Sequence, residues 1–327
     1  MNRFEQKIQR SGKTLGKIRQ EMRKSIVGQE KVLDELLVCL VTGGHVLVEG
    51  VPGLGKTTMI KVLSSILELS FSRVQCTPDL MPADIIGTNI LVRSSAGQHD
   101  IQFRKGPLFT NILFVDEINR ATPKTQSALL EAMQEKNVTV NGTTYPLPSP
   151  FLVCATQNPI EMEGTYPLPE AQLDRFFFKV YIQRPNRKEL LQIVDRTTGR
   201  DVYIPSSVSS SAELSELKEL VLNIPAADEV KDYAVRICEA THGEEDNSPW
   251  SNYIRYGSSP RGAQAMVLAG KVFALLDGRF NLSFEDVRQA CVPALRHRII
   301  LSFKGEAEGI RTEQIIDHIL RTVPELE

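Results

Sequence analysis

The chain has 327 residues, 42% of them hydrophobic and 24% charged, with 38 Lys/Arg against 40 Asp/Glu and a formal net charge of −2. That length leaves room for about two domains with separate cores, and the composition excludes a disordered chain. The near-neutral balance weighs against a dedicated nucleic-acid binder, and five cysteines without metal-ligand spacing, at 39, 76, 154, 238 and 291, weigh against both a metal cluster and a secreted disulfide framework.

The N-terminus has no apolar h-region, and no stretch approaches about 18 apolar residues, so the expectation is a soluble cytoplasmic protein. Residues 1–24 carry eight Lys/Arg against two acids. Phe4, Ile8, Leu15, Ile18 and Met22 fall on one helical stripe, with Ser11 at the remaining step. This predicts an amphipathic helix packed on the body with a solvated basic face. A patch for nucleic acid or an acidic partner is the sharper alternative.

From 45 to about 182, short apolar runs alternate with helical patterns. The runs His45–Val48, Ile112–Val115 and Phe151–Ala155 are almost wholly apolar, as strands of a parallel sheet covered on both faces must be. A helix follows over Lys56–Leu67, and another begins at Thr122-Pro123, an N-cap followed by proline at the first helical position. Two hairpins interrupt the pattern, at 88–104 with Gly97 at the turn and at 137–145 with Asn141-Gly142 between β-rich flanks. A linker is expected near 183–205. Beyond it helices are expected at about 212–222, 226–242, 260–277, 284–298 and 311–322, with Ser283 and Asp286 as a capping box and no strand signal.

Gly50-Val-Pro52-Gly53-Leu54-Gly55-Lys56-Thr57 is a complete phosphate-loop pattern, placed between an apolar strand and a helix. Its glycines let backbone N–H groups turn toward phosphate oxygens, and the helix N-terminus adds partial positive charge. Lys56 would reach the β- and γ-phosphates of ATP, Thr57 would hold Mg²⁺, and Thr58 completes the binding set. A chance glycine-rich turn is the bland alternative, and the strand and helix on either side argue against it. The run Ile112–Val115 ends in Asp116-Glu117. Asp116 would bind Mg²⁺ and Glu117 would polarise the attacking water, where the bland reading is a strand end with solvated acids. Asn158, after the third strand, is placed to orient that water or touch the γ-phosphate, although it also suits a turn before Pro159. Arg175, in Leu173-Asp174-Arg175-Phe176, could complete a neighbour's site as an arginine finger, or pair with Asp174 at the surface. Arg261 lies in the first turn of a helix, where the dipole disfavours a cation, so an external phosphate is the candidate reason for it.

With these motifs in place the chain resembles an AAA+ ATPase, and more narrowly the MoxR family. The resemblance rests on Val27-Gly28-Gln29-Glu30, Asp116 to Ala121, Lys124 to Gln134, Glu163 to Gln172, Arg296-His297-Arg298 and Leu301-Ser302-Phe303, and it covers about 25–325. It implies an α/β fold, a P-loop parallel sheet with helices on both faces followed by a small all-helical lid. The implied organisation is an N-terminal helix at 1–24, a nucleotide-binding domain at 25–185, and linker plus lid at 186–327. Val27, Gly28 and Gln29 would contact the adenine side, Asn158 would be sensor 1, Arg175 the arginine finger and Arg261 sensor 2. The hairpins would face the pore of a hexameric ring. The ring would remodel or help mature partner proteins, often ones with von Willebrand factor A domains. Alternatives are the ATPase subunit of a metal-chelatase-like complex, a nucleic-acid-associated motor, or a non-catalytic nucleotide switch. The chain lacks the Gly-Ala-Phe-Thr-Gly-Ala loop of transcription activators, and the presence of Glu117 and Arg175 argues against a mere switch.

Overall fold

A computed structural model describes residues 3–93, 99–158, 164–199, 203–243 and 248–326. Gly97, Pro159 and Glu163 lie outside the described residues. Among the described residues no helix is long and apolar enough to cross a membrane.

The chain opens with α1 (Arg3–Ser25) and α2 (Glu30–Thr42), then β1 (Val46–Glu49), α3 (Lys56–Ile66), β2 (Phe71–Gln75), α4 (Pro82–Ile86), and the hairpin β3 (Gly87–Arg93) and β4 (His99–Lys105). It continues with β5 (Ile112–Asp116), α5 (Pro123–Glu135), the hairpin β6 (Asn137–Val140) and β7 (Thr143–Pro146), β8 (Leu152–Gln157), α6 (Glu170–Leu173) and β9 (Phe178–Tyr181). The remainder is α7 (Arg187–Thr198), α8 (Ser211–Leu222), α9 (Asp228–Ala240), β10 (Ile254–Tyr256), α10 (Pro260–Leu276), α11 (Phe284–Leu295), β11 (Ile300–Leu301), α12 (Phe303–Ala307) and α13 (Thr312–Thr322).

The central sheet is parallel, in the order β2-β5-β8-β1-β9. Its inner strands are apolar up to their C-terminal ends because both faces are covered. Val46, Val48, Ile112, Phe114, Leu152 and Cys154 join the core beneath α1, α2 and α3. Leu47, Leu113, Val115, Val153 and Ala155 face a second core under α5. The first core continues into α8 to α11, the helical lid. Parallel strands end on one edge, so the segments after β1, β5 and β8 are brought side by side there.

The local signals account for several elements. Thr122 caps α5 by accepting from Thr125 N, with Pro123 in the first turn. Asn141 and Gly142 both take positive φ, 49° and 80°, the turn geometry that a two-residue hairpin demands. Ile8, Leu15, Ile18 and Met22 of α1 are fully buried, so the packed reading of the basic helix holds. Arg19 Nε donates to Asp34 Oδ1 at 2.7 Å. Buried Glu21 accepts from Tyr203 Oη and from Ser206 N, and these bonds pull its carboxyl down to about 2.

Two expectations need correction. The supposed linker at 183–205 contains α7, twelve residues capped by Asn186, whose side chain accepts from Lys188 N and Glu189 N while Glu189 reaches back to Asn186 N. The lid is also not wholly helical. β10 and β11 form a short antiparallel ribbon, too brief to leave an alternating pattern.

Candidate active site

The phosphate loop joins the end of β1 to α3. Gly53 and Gly55 adopt φ of 84° and 76°, and a Cβ at either would meet nothing within 4 Å. Glycine is therefore required by backbone conformation rather than by crowding. Gly55 is the N-cap of α3, no side chain caps that helix, and its first turn holds no acid. The free N–H groups and the dipole are thus left for an external anion.

They open on a cavity of about 270 Å³ lined by Pro52, Gly53, Gly55, Lys56, Thr57, Thr58, Arg73, Asp116 and Glu117. Lys56 and the two acids therefore line one space. Lys56 Nζ donates to Gly50 O at 2.6 Å. Burial lowers its pKa, opposed by the charges of Asp116 and Glu117.

Thr156 organises the acids. Its hydroxyl donates to Asp116 Oδ1 at 2.7 Å and accepts from Glu117 N at 2.9 Å. Asp116 Oδ2 pairs with Arg73 at 2.7 Å, and Glu117 Oε2 accepts from Gln75 Nε2 at 3.0 Å and from Arg120 at 3.4 Å. Glu117 holds a φ of 56°, an uncommon conformation for a non-glycine residue that aims its side chain off the strand end. Sequence reasoning passed over Arg73, Gln75 and Thr156. The available signal was the period-two placement of Arg73 and Gln75 on β2, which puts both on one face beside β5.

The other expected residues are elsewhere. Asn158 is buried directly after β8 and does not line that cavity. Arg175 Nη1 donates to Leu130 O at 2.9 Å, and Arg261 pairs with Asp174 at 3.0 Å. Neither arginine lines the space around Lys56. Asp174 also accepts from Ser259 and from the buried Arg298, so the surface pair imagined for Asp174 and Arg175 is replaced by a contact between Asp174 and the lid.

On the far side of the phosphate loop, Gly50, Leu54, Tyr181, Ile182 and Arg184 line a second cavity of about 240 Å³. It shares Glu49, Tyr181 and Arg184 with a larger one of about 940 Å³ that Gln29 also lines. Gln29 Nε2 donates to Gln183 O at 2.6 Å, and a Cβ on Gly28, whose φ is 67°, would sit 2.6 Å from Glu189 Oε1. Gly28 thus packs against Glu189 of α7, and Gln29 lines the larger cavity, which joins the smaller one beside the phosphate loop through Glu49, Tyr181 and Arg184 to form a trough.

Glu35 of α2 lines the larger cavity, and burial pushes its carboxyl up to about 7 against the pull of Lys31 and Arg296. A raised folded-state pKa means that stability is full below the unfolded value and is lost as pH rises through about 7. Glu35→Gln is therefore expected to stabilise the protein by about 3 kcal/mol at pH 8 and hardly at all at pH 4.5. Denaturant titrations at the two pH values check this, and equal effects at both would contradict it.

Residues 45–178 match the ATPase family associated with various cellular activities (AAA), and residues 251–319 match the AAA lid domain. A Mycobacterium tuberculosis protein named Chaperone MoxR1 is 42% identical over 308 residues, spanning 93% of this chain and 80% of that protein. This chain belongs to the MoxR family of AAA+ ATPases. A second relative, Protein MoxR of Methylorubrum extorquens, is 29% identical over 93% of this chain and 91% of its own length. The crystal structure of a provisionally assigned ATPase from Cytophaga hutchinsonii superposes with a TM-score of 0.90 at 40% identity, covering 98% of this chain and 97% of that one. Membership of the MoxR family makes ATP the nucleotide to test against the trough. The donor set fits ATP with Mg²⁺: a ring of free N–H groups, an ammonium, a first-turn hydroxyl on Thr57 and the Asp116 carboxylate, all on one cavity.

Proposed function

We propose that this protein hydrolyses ATP in a head-to-tail ring and uses the cycle to remodel a partner protein. One observation carries the reading. Lys56, Thr57, Asp116 and Glu117 converge on one cavity, while Arg175 and Arg261 are held by other parts of the same chain. A site with its binding half in one place and its two arginines in another is complete only when a neighbour supplies them.

The roles follow from the chemistry. The phosphate-loop N–H groups and Lys56 hold the β- and γ-phosphates, with Gly50, Pro52, Gly53, Leu54, Gly55 and Thr58 shaping the cradle. The base extends along the trough toward Val27, Gly28 and Gln29. Thr57 and Asp116 hold Mg²⁺, which when bound neutralises charge on the phosphate oxygens. Glu117, fixed by Thr156 and Gln75, accepts the proton of the attacking water, and Asn158 orients that water. Arg175 and Arg261 of the adjacent subunit answer the charge that spreads over the equatorial oxygens.

A protein client fits the two hairpins. Phe103 of β4 stacks on Tyr145 of β7 with ring centroids 4.5 Å apart, which ties the hairpins together. Leu91 and Ile101 stand opposite each other on β3 and β4, 65% and 68% exposed. An exposed apolar pair on a projecting ribbon suits transient contact with another polypeptide. A hexamer, and a client with a von Willebrand factor A domain, are the assembly and partner we would test first. The name of the Mycobacterium relative supports a chaperone-like role.

Lys56→Ala tests the nucleotide site. It removes the ammonium and its phosphate bonds, each charge-assisted bond contributing on the order of 1.5–3 kcal/mol. Affinity for a fluorescent ATP analogue should therefore fall by about 10-fold or more. Unchanged affinity would remove the phosphate-loop assignment.

A further inference from the structure

Arg298 is an arginine of the lid segment that follows α11, only 3% of its side chain is exposed, and it does not line the cavity at Lys56. Its guanidinium bonds residues 174–177 with all three nitrogens, and Nη1 also donates to Ala294 O of α11. Nε donates to Asp174 Oδ1 at 2.9 Å, Nη2 to the carbonyls of Asp174 at 3.2 Å and Phe176 at 2.7 Å, and Nη1 to Phe177 O at 3.2 Å. The preceding His297 adds a hydrogen bond from Nε2 to Phe176 O at 2.9 Å. From the start of α10, Ser259 Oγ donates to both Asp174 oxygens, at 2.9 and 3.0 Å, and Arg261 pairs with the same carboxylate.

Arg175 sits inside this clamp. The residue before it and the two after it are gripped by the lid, whereas its own guanidinium donates to Leu130 O. A buried ion pair contributes little net stability for its desolvation cost, but its geometry is rigid. The planar fork of arginine satisfies several fixed acceptors at once, which an ammonium cannot do.

We propose that Asp174 and Arg298 are positioning residues for Arg175, and that Asp174 binds Arg175 and Arg261 into a single unit whose aim is set by the lid. The docked lid thus holds the backbone on either side of Arg175 while α5 holds its guanidinium, so lid docking in one subunit governs how Arg175 and Arg261 are presented to its neighbour. This rests on the reading of Arg175 as a stabiliser of transferred phosphate.

The experiment compares full-length Asp174→Asn, Arg298→Lys, Arg175→Ala and the Asp174→Asn/Arg175→Ala double variant, reading kcat, KM, fluorescent-ATP affinity and melting temperature. Asp174→Asn should lower kcat by on the order of 10-fold or more, the scale of a misplaced group, with KM and nucleotide affinity within about twofold of wild type. The double variant should be no slower than Arg175→Ala alone, because residues acting as one unit are not additive. Arg298→Lys keeps the charge but loses the fork, and should move kcat in the same direction by less. Losses that multiply in the double variant, or an unchanged kcat in Asp174→Asn, would overturn the proposal while leaving Arg175 in its role. A parallel fall in nucleotide affinity, kcat and melting temperature would reduce the cluster to a structural staple and equally overturn it. If Arg175→Ala itself turns over like wild type, the reading of Arg175 fails, and the proposal falls with it by a distinct result.

Discussion

Glu117→Gln should bind ATP with wild-type affinity and turn it over at least about 10²-fold more slowly, the scale of a lost general base. The substitution is nearly isosteric. The amide oxygen can still accept from Gln75, and the backbone N–H still donates to Thr156, so the left-handed bend at this residue persists. In the proposed site, affinity would be set by Lys56 and the phosphate-loop N–H groups, which the change does not touch. What would be lost is the basicity of the carboxylate proposed to accept the water's proton. Steady-state hydrolysis and an equilibrium titration with fluorescent ATP give the two readings. Turnover near wild type would place the proton acceptor elsewhere, and a matching loss of affinity would mean that Glu117 supports the cradle rather than the chemistry. The same variant, held in its ATP state, is the means of retaining a client for identification.

The parts of this fold that could be read from sequence are those whose environment is uniform. β1, β5 and β8 are buried on both faces, so apolarity runs unbroken and announces them. β2 is an edge strand of mixed polarity, Phe71-Ser72-Arg73-Val74-Gln75, and gave no comparable signal, although it delivers Arg73 to Asp116 and Gln75 to Glu117. α7 was hidden differently. Its capping box, Asn186 with Glu189, is present in the sequence, but the helix buries no residue that would betray a core-facing stripe. The phosphate-loop pattern and Asp116-Glu117 could be singled out because each is a local pattern at a strand end. The partner of Arg261 was not, because Asp174 lies 87 positions away and the pairing exists only once the lid has docked. Arg298 is the extreme case. It was noticed as part of a family stretch with no role attached, since its one carboxylate partner, Asp174, is distant in sequence and its other acceptors are backbone carbonyls that no side-chain pattern can encode.

Subunits carrying Lys56→Ala and subunits carrying Arg175→Ala should each be nearly inactive alone, and a mixture of the two should recover activity. Arg175 does not line the cavity at Lys56 and is hydrogen-bonded to α5 of its own chain. In a head-to-tail ring each interface joins two different faces, so the phosphate loop comes from one subunit and Arg175 from the next. Random mixing at equal amounts leaves about a quarter of interfaces with an intact Lys56 facing an intact Arg175. If sites fire independently, hydrolysis should rise toward that fraction once subunits have exchanged. No recovery, with exchange shown separately, would mean either that Arg175 serves its own subunit or that the ring fires only when every site is whole. Doping a small share of one mutant into wild-type rings separates these two outcomes. Independent sites lose activity in proportion to the share added, whereas a concerted ring loses it steeply, because one defective subunit silences all its neighbours.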